Sequence, residues 1–370
     1  MLLALALVAV DWDWVDPRLH PFLREEGFSG RIRDIDRGMA ARLRDGEADH
    51  LVYFVLQSAK FTREPRIEPA LSAKEFVETG KVPEAVKRRI AAYGKRDRFD
   101  VEAEYPRAMR FLYDKEFKSR SRQGADRREW IASLYQTRGL STDTQVDVGY
   151  LVHTALSTLR DLEPGFRARR VLIIGPGLDV APRTGLRDTD EAQSFQPYAV
   201  LDSLLRLELA AMADVEVVGA DVQPRAVAFL NGFSKRDPPR LNLYWTPGEP
   251  DHEAYFSSLA RSLGGLDRAC ASRVNGVELN MVTQRPDPPT PFDLAIATNV
   301  LLYWPRDELL LGLNNVYRLL RPGGYFVHND TRGEIDEFSA PLDFRPVDGR
   351  MVRMPGREGL YEAFVVHRRR

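Results

Sequence analysis

Three features of this 370-residue sequence point to an α/β protein: a doubly wound, mostly parallel sheet preceded by an all-helical N-terminal domain. The first is the stretch from Arg169 to Asp179, where Val171-Leu172-Ile173-Ile174 runs straight into Gly175-Pro176-Gly177. A short, unbroken run of branched apolar residues reads as a strand buried on both faces, and the glycines read as a sharp turn. The second is the alternation beyond residue 146 of such runs with amphipathic helical stripes, the pattern of a parallel sheet covered by helices. The third is the lack of any sustained period-two pattern before residue 145. At this length two domains are expected, and these features divide them as 1–145 and 146–370.

Composition narrows the classes. Hydrophobic residues make up 44%, charged residues 29%, and the formal net charge is −1, which leaves no basic footprint for nucleic acid. The single cysteine, Cys270, rules out an intrachain disulfide and a cysteine-built metal site. The six histidines are scattered with no His-x-x-x-His spacing, so no metal centre is expected. Residues 1–10 are all apolar, long enough for a signal-peptide core and too short to span a bilayer. Three readings of them stay open: an export signal, a membrane-surface anchor, or an N-terminal helix packed on the body.

Taken in order, residues 20–58 carry a helical pattern through Ile32, Ile35, Met39 and Leu43. Gly46 with Glu47-Ala48-Asp49 reads as a stop and a restart, and 51–56 as a buried helix. A proline-bearing connector follows over 61–69. Ser72-Ala73-Lys74-Glu75 has the order of a capping box, and further helices are expected at 83–93, 104–117 and 127–135. Residues 107–128 hold eight basic and three acidic side chains, which reads either as a solvated helix face or as a docking surface for an acidic substrate or partner. After a linker at 142–146, Val148, Leu151, Val152, Ala155, Leu156 and Leu159 share one stripe of a helix over 146–162. The glycine-ended strand comes next, then an irregular loop at 181–196 and a helix at 198–213. A second strand at 215–220 ends on Asp221. Further strands are expected at 241–245, 276–282, 292–298 and 325–328. The helix at 307–320 is stopped by Arg321-Pro322-Gly323-Gly324, and a hairpin of 351–353 with 363–366 closes the sheet.

In an open α/β sheet the ligand lies outside the carboxyl ends of the strands. A dinucleotide fingerprint needs Gly or Ala three residues past the second glycine and an acid about 20 residues on. Here those places hold Val180 and, 46 residues past Gly175, Asp221. The Gly-Lys-Ser/Thr ending of a phosphate-binding loop is missing too. Asp221 remains placed to accept both ribose hydroxyls of a nucleoside without a pyrophosphate.

On these residues the chain resembles the class I S-adenosylmethionine-dependent methyltransferases over roughly residues 146–335. Four pieces stand in the family's order: Val171 to Gly177, Val217 to Pro224 with Asp221, Phe292 to Tyr303, and Leu319 to Phe326. Within the class, Leu279-Asn280-Met281, Phe292-Asp293-Leu294 and Asn299-Val300-Leu301-Leu302-Tyr303 look most like the chemotaxis-receptor methyltransferases, a branch that also carries a helical N-terminal domain. The resemblance implies a Rossmann-like methyltransferase sheet and S-adenosylmethionine as cofactor. It assigns Gly175, Pro176 and Gly177 to backbone contact with that cofactor, Asp221 and Val222 to its ribose side, and Asn280 with Met281 to the adenine. Asn299 is placed beside the methyl group, and Asn299 and Tyr303 are the candidate catalytic residues, with Trp304 as a further wall.

For each there is a plainer alternative. Asp221 can cap a helix, Asn280 can serve a turn, Asn299 can be a structural hydrogen bonder, and Tyr303 and Trp304 can be core aromatics. His328 can be a base at its strand end or a buried histidine. Two departures stand out: Ile173 occupies the place of the acid that usually holds the methionine amine, and Asp179 replaces the third glycine. Asp179 either takes over the ammonium or caps the next segment. The expected activity is methyl transfer to a small molecule or a protein side chain. The alternative is a non-catalytic cofactor-binding or scaffold protein. Because that cofactor is made inside the cell, a cytoplasmic location is expected; export or anchoring through residues 1–10, the one expected membrane contact, is the alternative.

Overall fold

The computed structural model describes residues 6–58, 111, 114–115, 118–180, 192–232, 240–287, 289–355 and 361–370. The chain divides into two compact units: Met1–Arg37 with Thr144–Leu178 and Gln193–Arg370, and Gly38–Asp143 with Asp179–Ala192. The first 37 residues therefore group with the sheet, where the sequence reading put them in a domain ending at 145. The connector at 61–69, the capping box at 72–75, the helix at 83–93, most of that at 104–117 and the loop at 181–191 lie outside the described residues.

In the first unit, Ala6–Ala9 is a strand, β1, where the third reading of the apolar N-terminus expected a helix. It pairs antiparallel with a later strand, and Val10 N–H continues the contact to Thr283 O at 2.8 Å. The branched pair Leu7 and Val8 suits a pleated ribbon, and the partners lie 275 to 281 residues along the chain, where no local pattern could reveal them. Two 3-10 turns follow, Trp12–Trp14 and Pro17–Phe22, and then the long helix α1, Phe28–Ser58, whose residues from Gly38 on belong to the second unit. The expected break at Gly46 does not occur; an interior glycine weakens a helix by only about 1 kcal/mol and need not end it. In the second unit, α2 is Gly124–Thr137.

The expected helix over 146–162 is α3, Val148–Leu162, and all six stripe residues are buried. The chain then forms β2 (Arg170–Ile174), α4 (Gln196–Arg206), β3 (Glu216–Asp221), α5 (Pro224–Gly232), α6 (Pro250–Gly264), α7 (Arg268–Ala271) and β4 (Val274–Glu278). It continues through β5 (Gln284–Asp287, the partner of β1), β6 (Phe292–Ala297), α8 (Arg306–Leu319), β7 (Leu320–His328), α9 (Gly333–Ser339), β8 (Phe344–Arg353) and β9 (Tyr361–Arg369). The strand expected at 241–245 is absent. The Gln193 amide takes its place as a partner, donating to Asn242 O at 2.9 Å and accepting from Asn242 N–H at 3.0 Å.

The main sheet has the order β4-β3-β2-β6-β7-β9-β8. The first five strands are parallel, and β9 enters antiparallel between β7 and β8. This is the doubly wound, mostly parallel Rossmann-like sheet expected from the sequence. Its strands carry continuous apolar runs because both faces are covered: Val171, Ile173, Val217, Leu294, Ile296 and Val327 share one core with α3, α4 and α6. The strand order reverses between β2 and β6, and a sheet of this kind places its ligand crevice there, outside the strands' carboxyl ends.

Candidate functional site

The glycine turn leaves β2 at the reversal point. Gly175 and Gly177 have φ of 63° and 59°, the left-handed region that costs other residues free energy. At Gly175 there is also no room, since a Cβ would lie 2.6 Å from Val300 Cγ2 on the segment leaving β6. Thr144 clamps the turn from outside, its Oγ1 donating to Pro176 O at 2.7 Å and its N–H to Leu178 O at 2.8 Å. Nothing in the sequence marked Thr144 beyond its place in a linker.

Asp221 closes β3 beside this turn. One carboxylate oxygen accepts Gly177 N–H and the other Gln223 N–H, both at 2.8 Å. The side chain therefore ties the turn after β2 to the end of β3, while the oxygen in the cap place of α5 is that of Gln223, whose Oε1 accepts Arg225 N–H at 3.3 Å. The residue is 6% exposed. Burial outweighs the hydrogen bonds from Gln223, Gly177 and Val222 and pushes its carboxyl up to about 6. Each oxygen retains acceptor capacity. Val222 beside it is half-buried.

Ile173 is fully buried, between Gly219 and Ile296 on the neighbouring strands. An apolar side chain there serves the core and offers nothing to an amine. Asp179 is also fully buried and falls in the second unit.

Asn280 serves a turn. Its Oδ1 accepts Val282 N–H at 3.0 Å, its carbonyl accepts the N–H groups of Thr283 and Gln284, and its Nδ2 donates to Asp36 Oδ1 at 3.1 Å. Met281 is buried, and its carbonyl accepts Asn315 Nδ2 at 2.7 Å. The same Asn315 accepts Trp14 Nε1–H at 2.6 Å, and the adjacent Asn314 accepts Asp16 N–H at 2.9 Å. These two buried amides of α8 fasten the N-terminal segment to the sheet body.

At the end of β6, Asn299 is half-buried with φ of 58°, an uncommon backbone for a residue other than glycine. Its N–H donates to Asn329 Oδ1 and its Oδ1 accepts from Asn329 Nδ2, each at 2.8 Å. Tyr303 ends the 3-10 turn Leu301–Tyr303 and is buried. Trp304 packs on α8: a Cβ on Gly312 would come within 3 Å of its ring, so Trp304 is a core aromatic. Arg332 ties this turn down, donating to Trp304 O at 3.1 Å and to Leu301 O, while its Nε meets Asp330 Oδ2 at 3.0 Å. Asn329, Asp330 and Arg332 follow β7 directly. Applying the strand-end rule to that strand as well as to β2, β3 and β6 would have singled them out.

His328 ends β7 as a buried histidine. Its Nε2 lies 3.0 Å from His367 Nδ1, and burial lowers both rings below the usual histidine value, His367 to about 4. Burial likewise raises the Cys270 thiol. In the basic run, Lys118 pairs with Asp114 at 2.7 Å, and Arg122 pairs with Asp126 at 2.8 Å and lies over Trp130. Among the described residues no group of three or more His, Cys, Asp and Glu could hold a metal ion, and no helix is long and apolar enough to cross a membrane.

No family model matches the sequence, and no curated protein does. Among solved structures the chain is similar to the N-methyltransferase NodS from Bradyrhizobium japonicum WM9 in complex with S-adenosyl-L-homocysteine, at 14% identity over 64% of this chain and 96% of that one, with TM-score 0.35. It is similar to magnesium protoporphyrin IX methyltransferase from Synechocystis PCC 6803 with bound S-adenosylmethionine, at 12% identity, 67% and 100% coverage and TM-score 0.33. TrmN from Thermus thermophilus matches at 14% identity and TM-score 0.32 over 59% of this chain, which spans about half (48%) of that protein's length. At these scores the likenesses carry no argument about activity, and the chain's own strand order and strand-end residues describe its fold.

Proposed function

We propose that this protein binds S-adenosylmethionine and transfers its methyl group to a small molecule or a protein side chain. One observation carries the reading: at the reversal point of the sheet, a left-handed glycine turn is hydrogen-bonded to a buried carboxylate at the end of the next strand. The residues fit the adenosyl part of the molecule. Asp221 keeps lone pairs for two vicinal hydroxyls, and Gly175 with Gly177 brings backbone close to the ligand without a side chain in the way. The bound sulfonium supplies an activated methyl group, so the protein's work is to align the acceptor and exclude water. Asn299 and Tyr303 at the β6 end are the residues proposed to face the acceptor.

The turn geometry of Asn280 supports a structural role for its side chain, leaving backbone and the buried Met281 as the adenine contacts of this reading. Ile173 favours a second reading, a protein that binds the cofactor without turnover, because no acid stands where the methionine amine is usually held. The resemblance to chemotaxis-receptor methyltransferases rests on three short stretches and supplies no acceptor. Titration calorimetry with S-adenosylmethionine and S-adenosylhomocysteine tests binding, and transfer of a labelled methyl group to extract components tests turnover. The proposal expects both, and protein that binds neither compound refutes it.

A further inference from the structure

The Asn299 and Asn329 amides hold one another in a fixed sense. A backbone N–H can only donate, so Asn299 N–H requires Asn329 to present its Oδ1. Asn329 must then turn its Nδ2 toward the Asn299 side chain, which has to answer with its Oδ1. One unalterable donor thus settles the orientation of both amides, and the Asn299 Nδ2 hydrogens are left outermost. Among the described residues none accepts from them.

An N–H donor placed beside a nucleophile discriminates between nitrogen and oxygen. A neutral amine has one lone pair, and a donor that engages it blocks attack. An ionised oxygen has three, so one can be held while another attacks. Asp330 is paired with Arg332 at 3.0 Å and His328 is buried against His367, so neither of these groups at the β7 end is placed to take a proton from an acceptor. An acceptor that arrives already deprotonated asks for no base.

We propose that Asn329 is a positioning residue that locks Asn299 with its amide N–H bonds outermost, so that the site takes methyl acceptors presenting an ionised oxygen, a carboxylate or an acidic phenol. This rests on the methyl-transfer reading above. In the step, an O–CH3 bond forms, the C–S bond breaks with its electron pair passing to sulfur, and no proton is released.

The test has two arms. Extract incubated with methyl-labelled S-adenosylmethionine and the full chain is split chemically: carboxyl methyl esters release labelled methanol in base, aryl methyl ethers keep the label in base and are neutral, and N-methyl products keep it and bind a cation exchanger. Label in either oxygen class is expected. Label in the N-methyl class overturns the proposal, as does cofactor binding with label in no product; loss of cofactor binding itself refutes the underlying function instead and takes both down. The second arm compares Asn329→Asp with Asn329→Ala. Aspartate still accepts Asn299 N–H, but its second oxygen turns the Asn299 amide around and puts Oδ1 outermost. Transfer should fall about a hundredfold in Asn329→Asp and less in Asn329→Ala, with cofactor affinity within about twofold in both. Melting temperature should show the opposite order, alanine being the more disruptive. A merely structural Asn329 would make alanine the worse variant in both readouts, and that result overturns the proposal.

Discussion

Replacing Asp221 with asparagine separates folding from binding at the proposed ribose carboxylate. With its folded value near 6 against 3.8 for an ordinary aspartate, the ionised group costs the fold about 3 kcal/mol at pH 7. Asparagine removes that charge, but one of the two backbone donors, Gly177 or Gln223, then faces an amide N–H group at a cost of about 1 to 3 kcal/mol. The two effects nearly offset each other, so the variant should fold with almost wild-type stability. Binding should not survive so well. Ribose hydroxyls donate best to a carboxylate, and losing its charge and one acceptor removes about 2 to 3 kcal/mol, a roughly 30- to 150-fold rise in Kd. In the wild type the same group sets a pH dependence. The bound state needs the ionised form, so affinity should be flat above about pH 7 and close to tenfold weaker at pH 5. Calorimetry between pH 5 and 8 on both proteins measures this. Wild-type affinity in Asp221→Asn, or a pH-independent Kd in the native chain, would refute the reasoning.

Gly175→Ala should lose about 2 to 5 kcal/mol in urea unfolding, combining a left-handed alanine with a Cβ 2.6 Å from Val300; adding Val300→Ala should recover the steric share only. The His328 and His367 pair should make the fold acid-labile. Both values are lowered by burial, so their contribution is whole above the unfolded value near 6.5 and is lost as pH falls below it, for His367 toward its folded value of about 4. His367 alone accounts for up to about 3 kcal/mol, and His367→Phe should flatten the acid limb of a stability–pH curve. Asn315→Ala should cost about 3 kcal/mol or more, because Trp14 Nε1 and the carbonyls of Met281 and Gln284 lose a buried partner. Hydrogen exchange should then quicken across residues 6–22.

The parts legible in the sequence were those governed by local periodicity. The stripe of α3, the apolar runs of β2, β3 and β6, and the Pro-Gly-Gly stop after α8 each announce themselves within a dozen residues, and the glycine turn and Asp221 stand at strand ends where ligand residues are expected. What stayed hidden depends on partners far along the chain. The sequence cannot say that Ala6–Ala9 meets Gln284–Asp287, that a glutamine amide replaces a strand at Asn242, or that Asn299 is held by Asn329. Asn280 shows the converse: a motif position whose side chain proves to be engaged by its own turn.

The bond between Trp14 and Asn315 spans 301 positions. At ribosomal speeds of about 5 to 20 residues per second, roughly 15 to 60 seconds separate the synthesis of the two ends. Through most of that interval the Ala6–Ala9 strand lacks its mate Gln284–Asp287, and the sheet itself is complete only once β9 emerges. A nascent chain of this protein thus carries the apolar Ala6–Ala9 strand unpaired for most of its synthesis, and a holdase acting early should matter more to its yield than any helper acting on the finished polypeptide.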